Sequence, residues 1–299
     1  MTPPVRVGTA EAPDGAMLWW RADGAGPALL CSNGIGVSTS FWRKLADHFA
    51  PTHTVVTWDY RGHGRSPLPE HPEGVTVAQC ARDLWTVAER AGVREAVLLG
   101  HAMGAQVSLE AYRLRPAGVR AFVPILGAAR GFFSSFIGGA ALTPVLTFLL
   151  EVGARNAALA QKALRSILML PGVWQAARAL RRVHPDLGPR EDFDPYLEHL
   201  QQLDLRAYFA LARDLLSHDA SPMLAEVNVP TLVVAGDRDL FTPIARSREL
   251  ASRIAGAELL VVRGGSHAVL VEQPELIALA VEKFLRLNGI GCGATSAGR

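Results

Sequence analysis

The chain is short of cysteine, short of net charge, and short of a nucleophile at the one place its own residues call for one. Three cysteines occur in 299 residues. Cys31, Cys80 and Cys292 lie far apart, are odd in number and form no Cys-x-x-Cys pair. That excludes a disulfide framework and a zinc-site pattern. The formal charge is only +2, so no global field draws the chain to a polyanion, and nucleic acid is not an expected partner. Met1 to Gly15 carries prolines and acids but no apolar signal core. The expectation is a cytoplasmic protein with reduced thiols.

Hydrophobic residues make up 49% of the chain, enough for a sizeable core in one large α/β domain with an insertion. Strand-like runs fall at Met17–Arg21, Ala28–Ser32, Thr54–Trp58, Ala96–Leu99 and Ala121–Leu126. Helical stretches lie between them near Phe41–Phe49, Val77–Ala91 and Gln106–Arg115. Alternation of this kind argues for a parallel sheet covered on both faces. It stops near Ala128 and resumes with a strand at Thr231–Ala235, a helix at Pro243–Ile254, a strand at Glu258–Val262 and a helix at Pro274–Leu287. The expected organisation is a core of residues 1–127 and 226–290, a helical cap of residues 128–225, and a flexible Gly/Ala/Ser-rich tail over 291–299. No internal repeat is visible.

The interruption reads as almost wholly helical. Gly131 to Leu150 has no charged residue and is as long as a membrane span. Gly131, Gly138, Gly139 and Pro144 break it, so helices that pack on the core or line a pocket are the better account. Residues 130–182 carry a net charge of +6, and residues 183–225 a net of −5. Two solvated faces that attract each other explain this best. Contact of the basic part with an anionic membrane surface is the less favoured alternative.

Residues 100–104 read Gly100-His101-Ala102-Met103-Gly104. The pattern Gly-x-Ser-x-Gly places a serine on a strained strand-to-helix turn, with its hydroxyl exposed above a parallel sheet. Here the strand, the helix and both glycines are present, and the central residue is alanine. Acyl transfer by serine also needs a base, an acid to orient it, and N–H donors for the oxyanion. These follow in the order nucleophile, acid, histidine. The acid candidate is Asp239, in Gly236-Asp237-Arg238-Asp239 after an apolar strand, because Gly-x-x-Asp is the spacing that delivers it. Asp237 reads as a turn former. The base candidate is His267, after Gly264-Gly265-Ser266 on a post-strand loop. His101 is expected to point into structure and His63 to fix its Gly-rich turn. His48, His53, His71, His184, His199 and His218 fit surface or helix-end positions.

The oxyanion donors are expected from the N–H of Met103 and from the loop Asn33-Gly34-Ile35-Gly36, with Ile35 N–H as the second donor. The Gly-x-Gly turn allows close approach to a substrate oxygen. It is no dinucleotide fingerprint, since Thr39 stands where a third glycine is required.

Taken together, Asp59-Tyr60-Arg61-Gly62-His63-Gly64-Arg65-Ser66, the elbow 100–104, the acid turn 235–243, and Gly265-Ser266-His267 with Glu272-Gln273-Pro274-Glu275 resemble the α/β-hydrolase superfamily. The likeness is to its cap-bearing esterase, lactonase and C–C-hydrolase branch. It covers nearly the whole chain. It implies an α/β-hydrolase fold, a mostly parallel, doubly wound sheet with an inserted helical cap, and serine at position 102. Two positions depart from the pattern. Asn33-Gly34 stands where the family has His-Gly, and Ala102 replaces the nucleophile.

Two explanations of Ala102 remain: a disabling replacement of serine, or a natural non-catalytic binder. Retention of Asp239 and His267 favours the first. The expected activity is acyl transfer on a hydrophobic ester, thioester or lactone, inactive as the sequence stands. C–C hydrolysis or cyclisation with the same residues is the neighbouring alternative. Phe132, Phe133, Phe136, Leu142, Leu146, Leu149, Leu150, Leu168 and Trp174 suggest a hydrophobic chamber in the cap. No metal or organic cofactor is implied, and the expected partner is a hydrophobic acyl small molecule.

Overall fold

The computed structural model describes residues 3–131, 143–170, 172, 175 and 190–291. Eight strands form one sheet: β1 (Val5–Glu11), β2 (Met17–Asp23), β3 (Ala28–Ser32), β4 (Thr54–Trp58), β5 (Ala96–His101), β6 (Val119–Ile125), β7 (Leu232–Gly236) and β8 (Glu258–Val262). Their spatial order is β1-β2-β4-β3-β5-β6-β7-β8. The first two pairings in that order are antiparallel and the rest parallel. Strands β3 to β7 are short apolar runs with almost every residue buried, as a sheet covered on both faces requires.

Helices α1 (Arg43–Phe49), α2 (Val77–Arg90) and α3 (Met103–Leu114) belong to the first half of the core. Between β6 and β7 lie α4 (Thr143–Arg155), α5 (Ala157–Leu168), α6 (Arg190–Gln202) and α7 (Leu205–Ser217). Then follow α8 (Ile244–Arg253), α9 (Val269–Glu272) and α10 (Pro274–Leu287). One face of the sheet buries Leu84, Val87, Leu109 and Leu250 from α2, α3 and α8. The other buries Leu45, Phe49, Ile277, Val281 and Phe284 from α1 and α10.

The chain leaves β3 toward β4 on one side and returns to place β5 on the other. Loops diverge at such a switch point and leave a crevice at the carboxyl ends of the strands, where ligands bind in open α/β sheets. The segment after β3, Asn33 to Gly36, and the turn after β5 at Ala102 face each other there.

The structure corrects several expectations. An additional strand, β1, pairs with β2 from Val5↔Asp23 to Glu11↔Met17. Its sequence hides it, because Gly8 lies under the Trp20 ring and its other residues stay mostly in solvent. Helix α3 begins at Met103, immediately after Ala102, rather than at Gln106. Leu149 does not line a chamber: it is 57% exposed. Leu146, Leu150 and Leu168 are half-buried, while Phe132, Phe133, Phe136, Leu142 and Trp174 lie outside the described residues. Among the described residues, α5 meets the last turn of α6 through Arg165 and Gln161, which donate to the Gln201 carbonyl at 2.7 and 3.3 Å. That contact uses a neutral acceptor and is no ion pair. No helix among the described residues is long and apolar enough to cross a membrane.

Candidate active site

The elbow is strained where the pattern requires it. Ala102 has φ 52° and ψ −115°, and Ala102 and Leu126 are the two non-glycine residues with positive φ among those described. Such a backbone costs of order 1–3 kcal/mol and persists only when its surroundings hold it. The Ala102 N–H donates to Ile125 O at 3.0 Å, and the Leu126 N–H donates to Val234 O at 2.8 Å. The two glycines permit the turn by close approach. A Cβ on Gly100 would stand 2.3 Å from Gly104 O, and one on Gly104 would stand 2.1 Å from Ser32 O. Both are impossible contacts, so strand, turn and helix pack this tightly only with glycine at both places.

The segment after β3 reaches the same point. A Cβ built on Gly34 would meet the Ala102 methyl at 3.3 Å and His101 Nδ1 at 3.1 Å. Asn33 anchors this segment from below. Its Nδ2 donates to Trp58 O at 2.9 Å, its Oδ1 accepts from Trp42 Nε1 at 2.7 Å, and its carbonyl accepts from Tyr60 OH at 2.8 Å. Asparagine at this position therefore ties the loop to β4 and to the start of α1. Met103 opens α3, and the first N–H groups of a helix have no acceptor within it.

Asp239 and His267 meet. His267 Nδ1 lies 2.8 Å from Asp239 Oδ2, and the carboxylate side chain is fully buried. The other carboxylate oxygen accepts from Phe241 N–H at 2.8 Å and Thr242 N–H at 2.9 Å. Asp237 turns the other way, as expected of a turn former. Its Oδ1 accepts from Gly264 N–H at 2.7 Å, and Arg238 N–H donates to Gly265 O at 3.0 Å. The acid turn and the histidine loop are thus stitched together twice besides the Asp239–His267 contact.

Two further residues position His267. Ser266 donates through its Oγ and its N–H to the buried Glu272 carboxylate, at 2.6 and 3.1 Å. His101 Nε2 lies 3.0 Å from His267 O. A carbonyl only accepts, so His101 carries its proton on Nε2. Burial, with the His267 charge second, pushes the His101 pKa down to about 3, and the ring stays neutral.

Aromatic rings surround these groups, and sequence reasoning missed them. Phe241 lies 4.9 Å from the His267 ring and Phe41 5.6 Å from the His101 ring, centroid to centroid. Tyr196 of α6 meets Phe41 edge-on at 5.4 Å. Tyr208 of α7 lies against Gly36. Burial raises the Tyr196 pKa to about 12. Phe241 could have been found from its place two residues after the acid. Tyr196 and Tyr208 carry no local signal, because the chain order of the insertion does not reveal which faces meet the core.

His63 holds its own turn, with Nδ1 at 3.0 Å from Arg61 O. His53 departs from expectation and is buried. His199 sits in the last turn of α6, a helix end as expected, and is buried there with its ring stacked on His63, centroids 6.3 Å apart. His218 ends α7 as expected, with its ring nitrogens near Gln106 and Glu110. His48 and His71 contact Glu282 and Glu73 near the surface, and His184 lies outside the described residues.

The profile described as "alpha/beta hydrolase fold" matches residues 27–274. The chain belongs to the α/β-hydrolase family. It is 27% identical over 258 residues to "Putative carbamate hydrolase RutD" from Stutzerimonas stutzeri, covering 86% of this chain and 91% of that one. A hydrolase from Pseudomonas aeruginosa PA01 superposes with TM-score 0.72 at 26% identity, over 94% of this chain and 98% of that chain. A thermophilic esterase from Thermogutta terrifontis shares the fold, with TM-score 0.75 at 20% identity over 95% and 99% of the two chains. The fold expected from the sequence is the fold observed, with an eight-stranded, mostly parallel sheet flanked by helices.

Proposed function

We propose that the chain is the scaffold of a serine-type acyl-transfer hydrolase in which Ala102 stands at the nucleophile's position. The observation that carries this is the Asp239–His267 pair, intact at 2.8 Å and held in register by the Asp237–Gly264, Arg238–Gly265, Ser266–Glu272 and His101–His267 hydrogen bonds. A chain with no use for a base at this place gains nothing from burying a carboxylate to orient one.

With serine at position 102, the His267 imidazole takes the hydroxyl proton as oxygen attacks the substrate carbonyl. Asp239 fixes the tautomer and stabilises the imidazolium. The Met103 and Ile35 N–H groups hold the oxyanion, and the proton on His267 then leaves with the alcohol, thiol or amine. Water, deprotonated by the same imidazole, releases the acid. Phe41, Tyr196, Tyr208 and Phe241 support an apolar acyl group, as an ester, thioester or lactone. The name of the RutD relatives adds a carbamate, whose carbonyl is open to the same attack.

Removing a serine nucleophile costs on the order of a million-fold in turnover, about 8 kcal/mol, so the protein as it stands binds without turning over. The alternative is a natural ligand-binding member of the family, which Ala102 itself favours. An alkyl fluorophosphonate separates the two. Ala102→Ser should be labelled once, at position 102, by mass spectrometry, and a second substitution, His267→Ala, should abolish labelling. No labelling of Ala102→Ser contradicts the catalytic reading.

A further inference from the structure

Helices α4 and α5 form a hairpin that hides almost nothing: residues 144–170 contain no buried side chain. One side of α4 rests on α7, where Gly153 lies against the Phe209 ring and Leu146 and Leu150 are half-buried. The side away from that contact carries Val145, Phe148 and Val152, with Leu149 at its border. Their spacing, i, i+3, i+4 and i+7, makes one stripe. All four are exposed, Phe148 at 63%, and α5 adds Leu159 at 69%. Contiguous apolar surface of this kind marks an interaction site.

The charges say what it meets. The exposed charged residues of the hairpin are Arg155, Lys162 and Arg165, all basic. Its acid, Glu151, is half-buried and lines the groove that also holds Arg206 and Arg213. Arg165 donates to the neutral Gln201 carbonyl, which leaves its charge in place. An apolar stripe bordered by cations, with no exposed acid, is the composition of a helix lying in the interface of an anionic bilayer. A second copy fits poorly, since a two-fold pairing would bring the same cations together.

We propose that the α4–α5 hairpin docks the protein on an anionic lipid surface. The stripe enters the boundary between headgroups and acyl chains, and Arg155, Lys162 and Arg165 meet lipid phosphates. Helix α7, which backs the hairpin, also brings Tyr208 to Gly36, so the docked face is one helix layer from the site. The proposal is independent of the chemistry at position 102.

The test is co-sedimentation of the full chain with vesicles of phosphatidylcholine alone and of phosphatidylcholine with phosphatidylglycerol in equal parts. Binding to the mixed vesicles only, weakened by salt, is expected. Arg155→Gln and Lys162→Gln should each lower partitioning about fivefold. Phe148→Asp with Leu149→Asp should abolish it at an unchanged Tm, because both side chains are exposed. No binding to either vesicle overturns the proposal, as does binding that this double variant leaves intact. Self-association that the double variant removes, without vesicle binding, assigns the face to a second copy and overturns it as well.

Discussion

His267 Nδ1 sits 2.8 Å from Asp239 Oδ2, and the second Asp239 oxygen is already filled by two backbone N–H groups. The carboxylate cannot rotate without breaking those bonds, so it dictates that Nδ1 is the imidazole nitrogen it holds. In the Ala102→Ser protein, Asp239→Asn should lower kcat by about 10⁴-fold, the cost of the wrong tautomer in a serine triad. Steady-state ester hydrolysis measures it. A drop below tenfold means that the pair does not act as base and orienter.

Gly104 lets α3 cross the end of β3, with Ser32 O only 2.1 Å from where a Cβ would stand. Gly104→Ala should destabilise the fold by about 1–3 kcal/mol through forced backbone displacement. Urea denaturation is the measurement. Unchanged stability would mean that the crossing is looser than the geometry states.

The sequence made the core of this geometry readable, because backbone demands write themselves as residue types. The glycines flanking Ala102 and the Gly-x-x-Asp spacing that ends at Asp239 mark places where few other residues fit. Strands β3, β4 and β8 begin and end where their apolar runs do. Strand β1 was missed since an edge ribbon with Gly8 at its centre has little hydrophobic pattern to show. Tyr196 and Tyr208 were missed for a different reason. They reach the core from helices whose inward face is set by tertiary packing alone.

Arg61 and Asp83 form a buried pair, with Nε and Nη2 each 2.6 Å from a carboxylate oxygen. Burial pushes the Asp83 pKa up, and the Arg61 guanidinium opposes that shift. Asp83→Asn removes the buried partner and leaves the buried guanidinium only the half-exposed Asp14, which should cost about 3–5 kcal/mol. Asp14, the half-exposed second partner of Arg61, should cost less than about 1 kcal/mol when changed to Asn. Equal losses in urea denaturation would contradict the distinction.

His63 and His199 give the protein an acid limit. Burial holds both pKa values down to about 4, from an ordinary 6.5. Between those values the unfolded chain binds protons that the folded one refuses, so stability falls as pH falls through the window. Above pH 6.5 the penalty is absent. At the lower end it reaches on the order of 3 kcal/mol per ring. Urea midpoints taken from about pH 7 to about pH 4.5 should decline, and His199→Phe should flatten the slope. A slope unchanged by His199→Phe would remove that ring from the cause.

The most direct measurement is turnover of p-nitrophenyl esters of increasing chain length by the protein as it stands and by Ala102→Ser. We expect no turnover above background from the first. From the second we expect a burst of p-nitrophenol equal to the enzyme present, followed by steady hydrolysis that favours longer acyl chains. Equal turnover by the two proteins would contradict a serine nucleophile at position 102, and none from Ala102→Ser across esters, thioesters, lactones and carbamates would contradict a serine hydrolase and leave a binding protein in its place.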